Sequence, residues 1–313
     1  MIAFALSGGG SRGALEAGAL LALLEAGVEP DLLVGTSAGA MNAAFLATDP
    51  SLGGARLLAD LWSTVKRAEI FPPNDVLLYL TMGWRFLRGK DGLLSSERLR
   101  RFVASQLPPK VRRFGDLSVP LYVTAADLNH GVLYLWGENP EGDLIDAVMA
   151  SSALPTLFPP EQVAGLQLVD GGVVANVPIA IAAEKGSTEV YAINVGYAGQ
   201  ALPQPRGVVN IGLRSLNALI YQQLLDDLER SAGRILLHHI VIDAYQGLPI
   251  WELGRGAEMV EDGYRVTKEY LELPDWEKAA QPLVPPPTQP PSLPAGARVW
   301  PSPPARERIS PAP

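Results

Sequence analysis

The first fifty residues contain the same unit twice: a short apolar stretch ends at a cluster of Gly and Ser, and a helical pattern follows. The first unit, from residue 2, reads IAFALSGGGSRGAL, and the second, from residue 32, reads LLVGTSAGAMNA. Parallel neighbouring strands need a crossover connection, which is usually a helix. Two strand–turn–helix units in succession therefore predict an α/β protein with three layers, α/β/α, around a mostly parallel central sheet.

Later segments extend this sheet. VPLYVTAAD and GVLYLWG predict two strands joined through LNHG, and VYAINVG predicts another buried strand. Amphipathic helices near residues 214–232 and 256–273 flank a further predicted strand, HHIVIDAY. The composition then changes, since 12 of the 28 prolines fall in the last 33 residues. We expect one folded domain over residues 1–280 and a proline-rich, extended or disordered tail over residues 281–313.

Composition and charge exclude several kinds of partner and site. The net charge of −8 argues against a nucleic-acid partner, because binding phosphates requires a basic surface. The chain has no cysteine, which excludes disulfides, thiolate zinc sites and a cysteine nucleophile. Histidines and acidic residues do not fall at metal-ligand spacing, so we expect no metal and no cofactor.

The N-terminal sequence is not typical of an exported or membrane-spanning chain. It lacks the basic region and the long apolar region of a secretory signal. The most apolar predicted helix, residues 14–26, carries Glu16 and Glu25 and is too short to span a bilayer. We therefore expect a cytoplasmic protein.

The glycines of the first turn also fit the dinucleotide-binding pattern G-x-G-x-x-G, through Gly8, Gly10 and Gly13. That function needs an acidic residue at the far end of the second strand, to bind a ribose hydroxyl. The candidate acid, Asp31, precedes the second strand, and no G-K-[ST] follows the glycines. A nucleotide-binding, Rossmann-like protein therefore stays as a weaker alternative.

The second turn, GTSAG, matches the nucleophile-elbow pattern G-x-S-x-G and makes Ser37 a candidate nucleophile. A serine on a sharp strand-to-helix turn takes a strained backbone conformation, and Gly35 and Gly39 leave the room that such a turn requires. The alternative is an ordinary turn that happens to contain a serine.

If Ser37 attacks an ester, the first turn acquires a role as well. The tetrahedral intermediate needs N–H donors aimed at its oxyanion. The run Gly8–Gly10 can supply them, and Gly9 and Gly10 are the favoured donors. Arg12 either braces this loop or contacts an anionic head group, and bracing is the favoured role.

A serine nucleophile needs a base to accept its proton, and the usual base is histidine. The chain offers His130 in the LNHG turn, and His238 and His239 in a predicted strand, none of them in a recognisable triad context. Asp170, in LVDGG, is the stronger candidate, because an apolar strand ends there at an acid and two glycines. An Asp in an ordinary glycine turn is the alternative.

Four segments occur in one order, GGGSRG, GTSAG, ASSALPTLFPP and DGGVVANVP, and together they resemble the patatin-like phospholipase family. The resemblance implies an α/β-hydrolase-like elbow and a Ser–Asp dyad without histidine, in which Ser37 is the nucleophile and Asp170 the base. It also implies an oxyanion hole at Gly8, Gly9 and Gly10. The residues expected to support these motifs are Arg12, Gly13, Gly35, Gly39, Gly171 and Gly172.

The function that this resemblance implies is that of a lipid acyl hydrolase, of the phospholipase A or carboxylesterase type, acting on an acyl-lipid substrate without a metal. Asp127 and Asp146 also match family positions, of a structural kind. A non-catalytic lipid-binding protein of the same fold is the main alternative, although an inactive site usually loses its serine or its acid.

One segment indicates contact with lipid independently of these motifs. Residues 75–92, DVLLYLTMGWRFLRGKDG, combine an apolar run with aromatic and basic residues. This combination suits a lid, or a shallow and transient contact with a membrane surface or micelle. The alternative is a helix packed on the domain with basic ends. Because the net charge is negative, any attraction to anionic lipid must be local.

Overall fold

A computed structural model describes residues 1–196, 204–275 and 278 of the chain. In this part, eight strands form one sheet and helices lie on both of its faces. The strands are β1 (Ile2–Leu6), β2 (Leu32–Gly35), β3 (Leu121–Asp127), β4 (Val132–Trp136), β5 (Glu161–Val163), β6 (Leu166–Asp170), β7 (Glu189–Asn194) and β8 (Leu236–Val241).

The helices in the same part of the chain vary from single turns to 24 residues. They are α1 (Gly13–Glu25), α2 (Ala38–Thr48), α3 (Leu52–Thr64), α4 (Arg67–Ile70), α5 (Asp75–Leu87), α6 (Glu97–Gln106), α7 (Leu144–Ser151), α8 (Gly172–Ala175), α9 (Ile179–Glu184), α10 (Val208–Ser231) and α11 (Gly256–Glu272). Short 3-10 turns occupy Gly10–Arg12 and Phe114–Asp116. Across the residues just given, no helix is both long and apolar enough to cross a bilayer.

The sheet is mostly parallel, as predicted. Its order is β5-β6-β3-β2-β1-β7-β8, with β4 paired to β3. The five strands from β3 to β8 in this order are mutually parallel, whereas β4, β5 and β6 pair antiparallel. Side chains of β1 alternate between the two faces, because successive residues of a strand point in opposite directions. Phe4 and Leu6 pack with α1, α2, α3 and α11, and Ala3 and Ala5 pack with α9 and α10. The three-layer α/β prediction is confirmed.

Two strands meet end to end along one edge of β3. The last residue of β2, Gly35, pairs with Val123, and the last residue of β6, Asp170, pairs with Ala125. Both strands lie on the edge of β3 that β4 leaves free, since β4 pairs with these same β3 residues. β2 is parallel and β6 antiparallel to β3, so their carboxyl ends point toward each other across Thr124. The turn that follows β2, which contains Ser37, therefore lies beside Asp170 at the end of β6.

The ends of strand β8 differ from those that the sequence predicts. HHIVIDAY predicted a strand over residues 238–245, whereas β8 covers Leu236–Val241. Its ends follow from its pairing with β7, which runs from Glu189 opposite Leu236 to Asn194 opposite Val241. The neighbouring strand therefore sets the limits of β8, and hydropathy alone does not reveal them. The predicted tail, residues 281–313, lies outside the described residues.

Candidate active site

Ser37 occupies the sharp turn that the sequence predicts between β2 and α2. Its backbone has φ 56° and ψ −120°, in the left-handed region that a residue with a Cβ rarely adopts. The flanking glycines fit because there is no room for a side chain: a Cβ on Gly35 would lie 2.6 Å from the Ala40 Cα, and one on Gly39 would lie 2.5 Å from the Leu6 carbonyl oxygen. Ser37 is partly exposed, whereas the residues on either side of it are buried.

The backbone of Ser37 is held by a residue to which the sequence analysis gave no role. The Ser37 N–H donates to Ser151 Oγ at 2.8 Å, and Ser151 is the last residue of α7 and fully buried. Its signal in the sequence was the segment ASSALPTLFPP, which carried the family resemblance but suggested no function for Ser151. This hydrogen bond opposes relaxation of the strained turn.

Asp170 lies at the carboxyl end of β6, buried and close to the Ser37 side chain. Its Oδ1 accepts the Gly172 N–H at 2.7 Å. Burial raises the pKa of Asp170 to about 6, and hydrogen bonding from Ser37 and Gly172 opposes this rise without cancelling it. A Cβ on Gly171 would lie 2.2 Å from Thr124 Oγ1, so the first glycine of the DGG motif is required for this close approach.

Two threonines stabilise the junction between the Ser37 and Asp170 segments. Thr36, which precedes Ser37, places its Oγ1 at 2.7 Å from the Oγ1 of Thr124. The Thr36 hydroxyl also donates to the Ala175 carbonyl of α8, at 2.8 Å. Both threonines are fully buried, so these bonds fix β2 and α8 relative to β3.

The glycine loop lies against Ser37, but its three amides differ. A Cβ on Gly8 would lie 3.2 Å from the Ser37 Cβ. The Gly8 N–H donates to the Asn176 carbonyl at 3.1 Å. The N–H groups of Gly9 and Gly10 have no acceptor among the residues that the structure describes. They are the donors that remain free for an oxyanion.

Arg12 makes the bracing contact that the sequence analysis favoured. Its Nη1 donates to Gln246 Oε1 at 2.7 Å, and Gln246 Nε2 donates to the carbonyl oxygens of Val195 and Gly196. Burial lowers the pKa of Arg12 to about 10, which leaves the guanidinium charged at neutral pH. Gly13 follows this loop, and a Cβ on Gly13 would lie 2.7 Å from the Trp62 ring.

The histidines have other contacts. His130 Nδ1 lies 2.5 Å from Asp127 Oδ2 in the hairpin turn, and His238 Nδ1 lies 2.9 Å from the Tyr270 hydroxyl. Neither contact involves Ser37, and His239 is buried within β8. Within residues 1–196 and 204–275, no group of three or more His, Asp or Glu side chains is placed to hold a metal ion.

The two acids that match family positions of a structural kind are both paired. Asp127 Oδ1 accepts the Asn129 N–H at 2.8 Å, and its Oδ2 faces His130. Asp146, on α7, forms an ion pair with Arg100 of α6 at 2.6 Å. These contacts close a hairpin and join two helices, as structural residues would.

The sequence also matches a known protein family. The sequence model of the patatin-like phospholipases matches residues 4–183, more than half of the chain, and this range includes Gly8–Gly10, Ser37 and Asp170. The chain belongs to the patatin-like phospholipase family. The resemblance that the four sequence motifs indicated is therefore confirmed.

Individual relatives are distant and much longer than this chain. Patatin-like phospholipase domain-containing protein 7 of Mus musculus is 29% identical over 197 residues, which are 62% of this chain and 14% of that protein. Lysophospholipase nte1 of Emericella nidulans is 27% identical over 303 aligned positions, which cover 87% of this chain and 18% of that protein. The chain thus spans less than a fifth of the length of these relatives. Among solved structures, VipD from Legionella pneumophila aligns over 85% of this chain and 66% of that chain, with a TM-score of 0.45 and 17% identity.

Proposed function

We propose that this chain is a serine hydrolase that cleaves carboxylic esters of acyl lipids, with Ser37 as nucleophile and Asp170 as base. The observation that supports it best is the meeting of two strand ends, which brings a serine in a strained turn beside a buried carboxylate. A non-catalytic lipid-binding role does not require a strained serine, an engaged acid and two free amides in one place.

The proposed reaction has two halves, each with Asp170 moving one proton. Asp170 accepts the hydroxyl proton of Ser37 while Ser37 Oγ bonds to the acyl carbon, and the carbonyl electron pair moves to oxygen. The Gly9 and Gly10 N–H groups stabilise that oxyanion. Its collapse breaks the ester bond, and the leaving alcohol takes the proton from Asp170. Water then gives a proton to Asp170 and attacks the acyl carbon. Collapse of this second intermediate breaks the bond to Ser37 Oγ, which takes the proton from Asp170 as the fatty acid leaves.

The environment of Asp170 suits a base that works near neutral pH. A general base is most effective when its pKa lies near the working pH. Burial raises the pKa of Asp170 to about 6, so most of the carboxyl groups are still ionised at about pH 7 while their basicity exceeds that of an exposed Asp.

The dyad can be tested with matched serine and aspartate variants on a short-chain soluble ester and on a lysophospholipid. We expect Ser37→Ala to lower kcat by about a thousandfold or more, and Asp170→Asn by about a hundredfold to ten-thousandfold. The controls Ser63→Ala and Asp146→Asn should stay within about twofold, since neither residue contacts the site. Lipid binding by wild type without any hydrolysis would favour the non-catalytic alternative.

We further propose that α5 and the residues after it, 75–92, contact a lipid surface. Leu78 is the single buried residue of α5, whereas Phe86 and Leu87 are 72% and 84% exposed. Large apolar groups in water are unfavourable unless something covers them. Basic residues lie at the same end of the helix, and the Arg88 guanidinium stacks over the Trp84 ring at 5.4 Å. Aromatic and basic groups together match the boundary between acyl chains and phosphate head groups.

The segment that follows α5 is linked to the Asp170 strand through two backbone hydrogen bonds. The Leu94 N–H, seven residues after α5 ends, donates to the Leu157 carbonyl at 2.7 Å. The loop that contains Leu157 also holds Ala153, whose carbonyl accepts the Asp170 N–H at 3.0 Å. We propose that a lipid surface that receives α5 presents its acyl esters to Ser37. The cytoplasmic location expected from the sequence stays a prediction, with α5 as the peripheral contact.

Vesicles of phosphatidylcholine with added phosphatidylglycerol test this contact. We expect the double variant Phe86→Ser/Leu87→Ser to lose about tenfold or more in vesicle binding and in vesicle hydrolysis, because it removes two apolar anchors. Its rate on a soluble ester should stay within about twofold of wild type. Leu57→Ser is the control, because Leu57 is also exposed but lies on α3. Self-association lost in the double variant, with vesicle binding intact, would assign the surface to a second copy of the chain.

A further inference from the structure

Glu16, on α1, is a buried acid whose contacts are all with uncharged groups. It has no exposed surface. Titratable groups near its helix have other partners: Arg12 of the preceding turn donates to Gln246, and Tyr264 of α11 bonds Glu25 at the far end of α1. In the described part of the chain, no ion pair reaches Glu16. A charge here would be buried without compensation, which is costly.

The two carboxyl oxygens of Glu16 contact the two segments that carry the site. Glu16 Oε1 lies 3.3 Å from Ser7 Oγ, and Glu16 Oε2 accepts from Asn42 Nδ2 at 2.9 Å. Ser7 immediately precedes Gly8, the first residue of the glycine loop. Asn42 lies on α2, the helix that begins directly after Ser37. Glu16 therefore connects the oxyanion segment with the nucleophile helix.

Ser7 and Asn42 extend this connection to other elements. Ser7 Oγ accepts the Val195 N–H at 2.9 Å, and the Ser7 carbonyl accepts the Gly39 N–H at 3.2 Å. Asn42 Oδ1 accepts the indole N–H of Trp62 on α3 at 2.7 Å. Every group that meets Glu16 in this network is uncharged. Glu16 thus contacts both the residue before the glycine loop and helix α2.

We propose that Glu16 is a positioning residue that acts as a neutral carboxylic acid, holding the glycine loop and the start of α2 in their catalytic arrangement. The inference rests on the proposed hydrolysis at Ser37. A neutral acid carries one acceptor and one O–H donor. The acceptor receives the Asn42 amide. The neutral acid donates its O–H to Ser7 Oγ, and the ionised form instead accepts from the Ser7 hydroxyl. Ionisation would remove that donor and leave a charge in an apolar interior.

The pKa of Glu16 fits this role, since burial raises it to about 8 and hydrogen bonds from Asn42 and Ser7 only partly oppose the rise. The acid is then mostly neutral at about pH 7 and ionises above about pH 8. Hydrolysis should accordingly fall on the alkaline side as Glu16 loses its proton. The decline of hydrolysis at low pH has a separate cause, which is the protonation of Asp170.

The test compares Glu16→Gln with Glu16→Ala on a soluble ester between about pH 6 and pH 10. Glutamine reproduces the donor and acceptor of the neutral acid but cannot ionise. We expect Glu16→Gln to keep kcat within about threefold at about pH 7 and to lose the alkaline decline that wild type shows. Glu16→Ala should lower kcat about tenfold or more with KM within about twofold, per folded enzyme.

Two results would overturn the inference. An alkaline decline in Glu16→Gln equal to that of wild type would assign the decline to another group. A loss of kcat in Glu16→Gln as large as that in Glu16→Ala would show that the neutral hydrogen-bonding pattern is not what matters. If Glu16→Ala does not fold, Glu16→Gln alone still decides through its pH profile.

A second readout separates this inference from the proposed function. The pKa of Glu16 is raised in the folded protein, so wild type should lose stability as pH rises from about 4.5 to about 8, because the unfolded chain releases this proton first. Glu16→Gln should lack this part of the slope and melt at a higher temperature than wild type at about pH 8. Wild type without hydrolysis, but with this difference in melting, would sink the enzyme proposal and keep the neutral acid. Hydrolysis by wild type, with no difference in melting between wild type and Glu16→Gln, would keep the enzyme proposal and sink the neutral acid.

Discussion

Helices α1 and α5 have the same length of 13 residues and are both apolar in sequence, yet one is buried and the other exposed. Eleven residues of α1 are buried, including Glu16, whereas α5 buries Leu78 alone. α1 begins at the end of the glycine loop and lies between the sheet and α11. α5 lies on the outside of the domain, with most of its residues exposed.

Side-chain size accounts for much of this difference. α1 alternates leucines with alanines and glycines, and small residues allow backbones to approach closely. A Cβ on Gly18 of α1 would lie 2.0 Å from the Val260 carbonyl oxygen of α11, and one on Gly263 would lie 1.9 Å from the Leu15 carbonyl oxygen. α5 carries Trp84 and Phe86 where α1 has Ala22 and Leu24, and its Gly83 has nothing within 4 Å. Apolar composition therefore does not by itself distinguish a core helix from an interfacial one.

The largest contrast should come from the same leucine truncation on each helix. Leu20 of α1 is fully buried and Leu87 of α5 is 84% exposed. We expect Leu20→Ala to lower the free energy of unfolding by about 2–5 kcal/mol through lost burial and a cavity, and Leu87→Ala to change it by less than about 0.5 kcal/mol. Urea titrations measure both. Equal losses in the two variants would mean that α5 packs on the domain in solution.

A glycine pair sharpens the comparison at the level of the backbone. Gly18→Ala would force α1 and α11 apart, and we expect it to destabilise the fold by about 1–3 kcal/mol. Gly83→Ala should be neutral or stabilise by up to about 1 kcal/mol, because alanine favours an exposed helix. Thermal melting of the two variants shows the signs directly. A destabilised Gly83→Ala would contradict the open position of α5.

The rate of hydrolysis at the site that α1 supports should depend on pH in the same way for every substrate. In the proposed mechanism Asp170 must be ionised to accept the proton of Ser37, and burial raises its pKa to about 6, so we expect activity to be lost as pH falls through that value. Between about pH 7 and pH 5 the ionised fraction, and with it kcat/KM, should fall about tenfold. Soluble and vesicle substrates should show the same acidic midpoint. A midpoint near 4 on the soluble ester would exclude the raised pKa of Asp170.

Salt should have the smallest effect and act through α5 alone. Basic residues at the end of α5 would attract phosphate head groups over a short range, and salt screens such attraction. Raising salt from about 0.05 to 0.5 M should lower vesicle hydrolysis about twofold to threefold and leave the soluble ester unchanged. An equal salt effect on both substrates would place the sensitivity in the site instead of at the surface.

The parts of the site that are local in sequence could be predicted, and the parts that depend on strand pairing could not. The elbow was readable because Gly35, Ser37 and Gly39 determine their own turn. The meeting of Ser37 with Asp170 depends on β6 ending opposite Ala125, beside the end of β2. No pattern in β6 specifies that partner, so residue reasoning alone left the base open.

Buried polar contacts were hidden from the sequence for a related reason. Glu16 was visible only as an acid in an apolar helix, because its partners Ser7 and Asn42 come from other elements. Ser151 lay in a motif without a stated role until its contact with the Ser37 N–H was seen. The strands and layers, by contrast, follow from hydrophobic periodicity and the repeated strand–turn–helix unit.

The central claim is that Ser37 is a nucleophile activated by Asp170, and fluorophosphonate labelling followed by intact-mass measurement and peptide mapping tests it most directly. The account predicts one adduct per wild-type chain, located on Ser37, no adduct in Ser37→Ala, and labelling slowed about a hundredfold or more in Asp170→Asn. An adduct that persists in Ser37→Ala, or no adduct on folded wild type even with detergent micelles present, would contradict it.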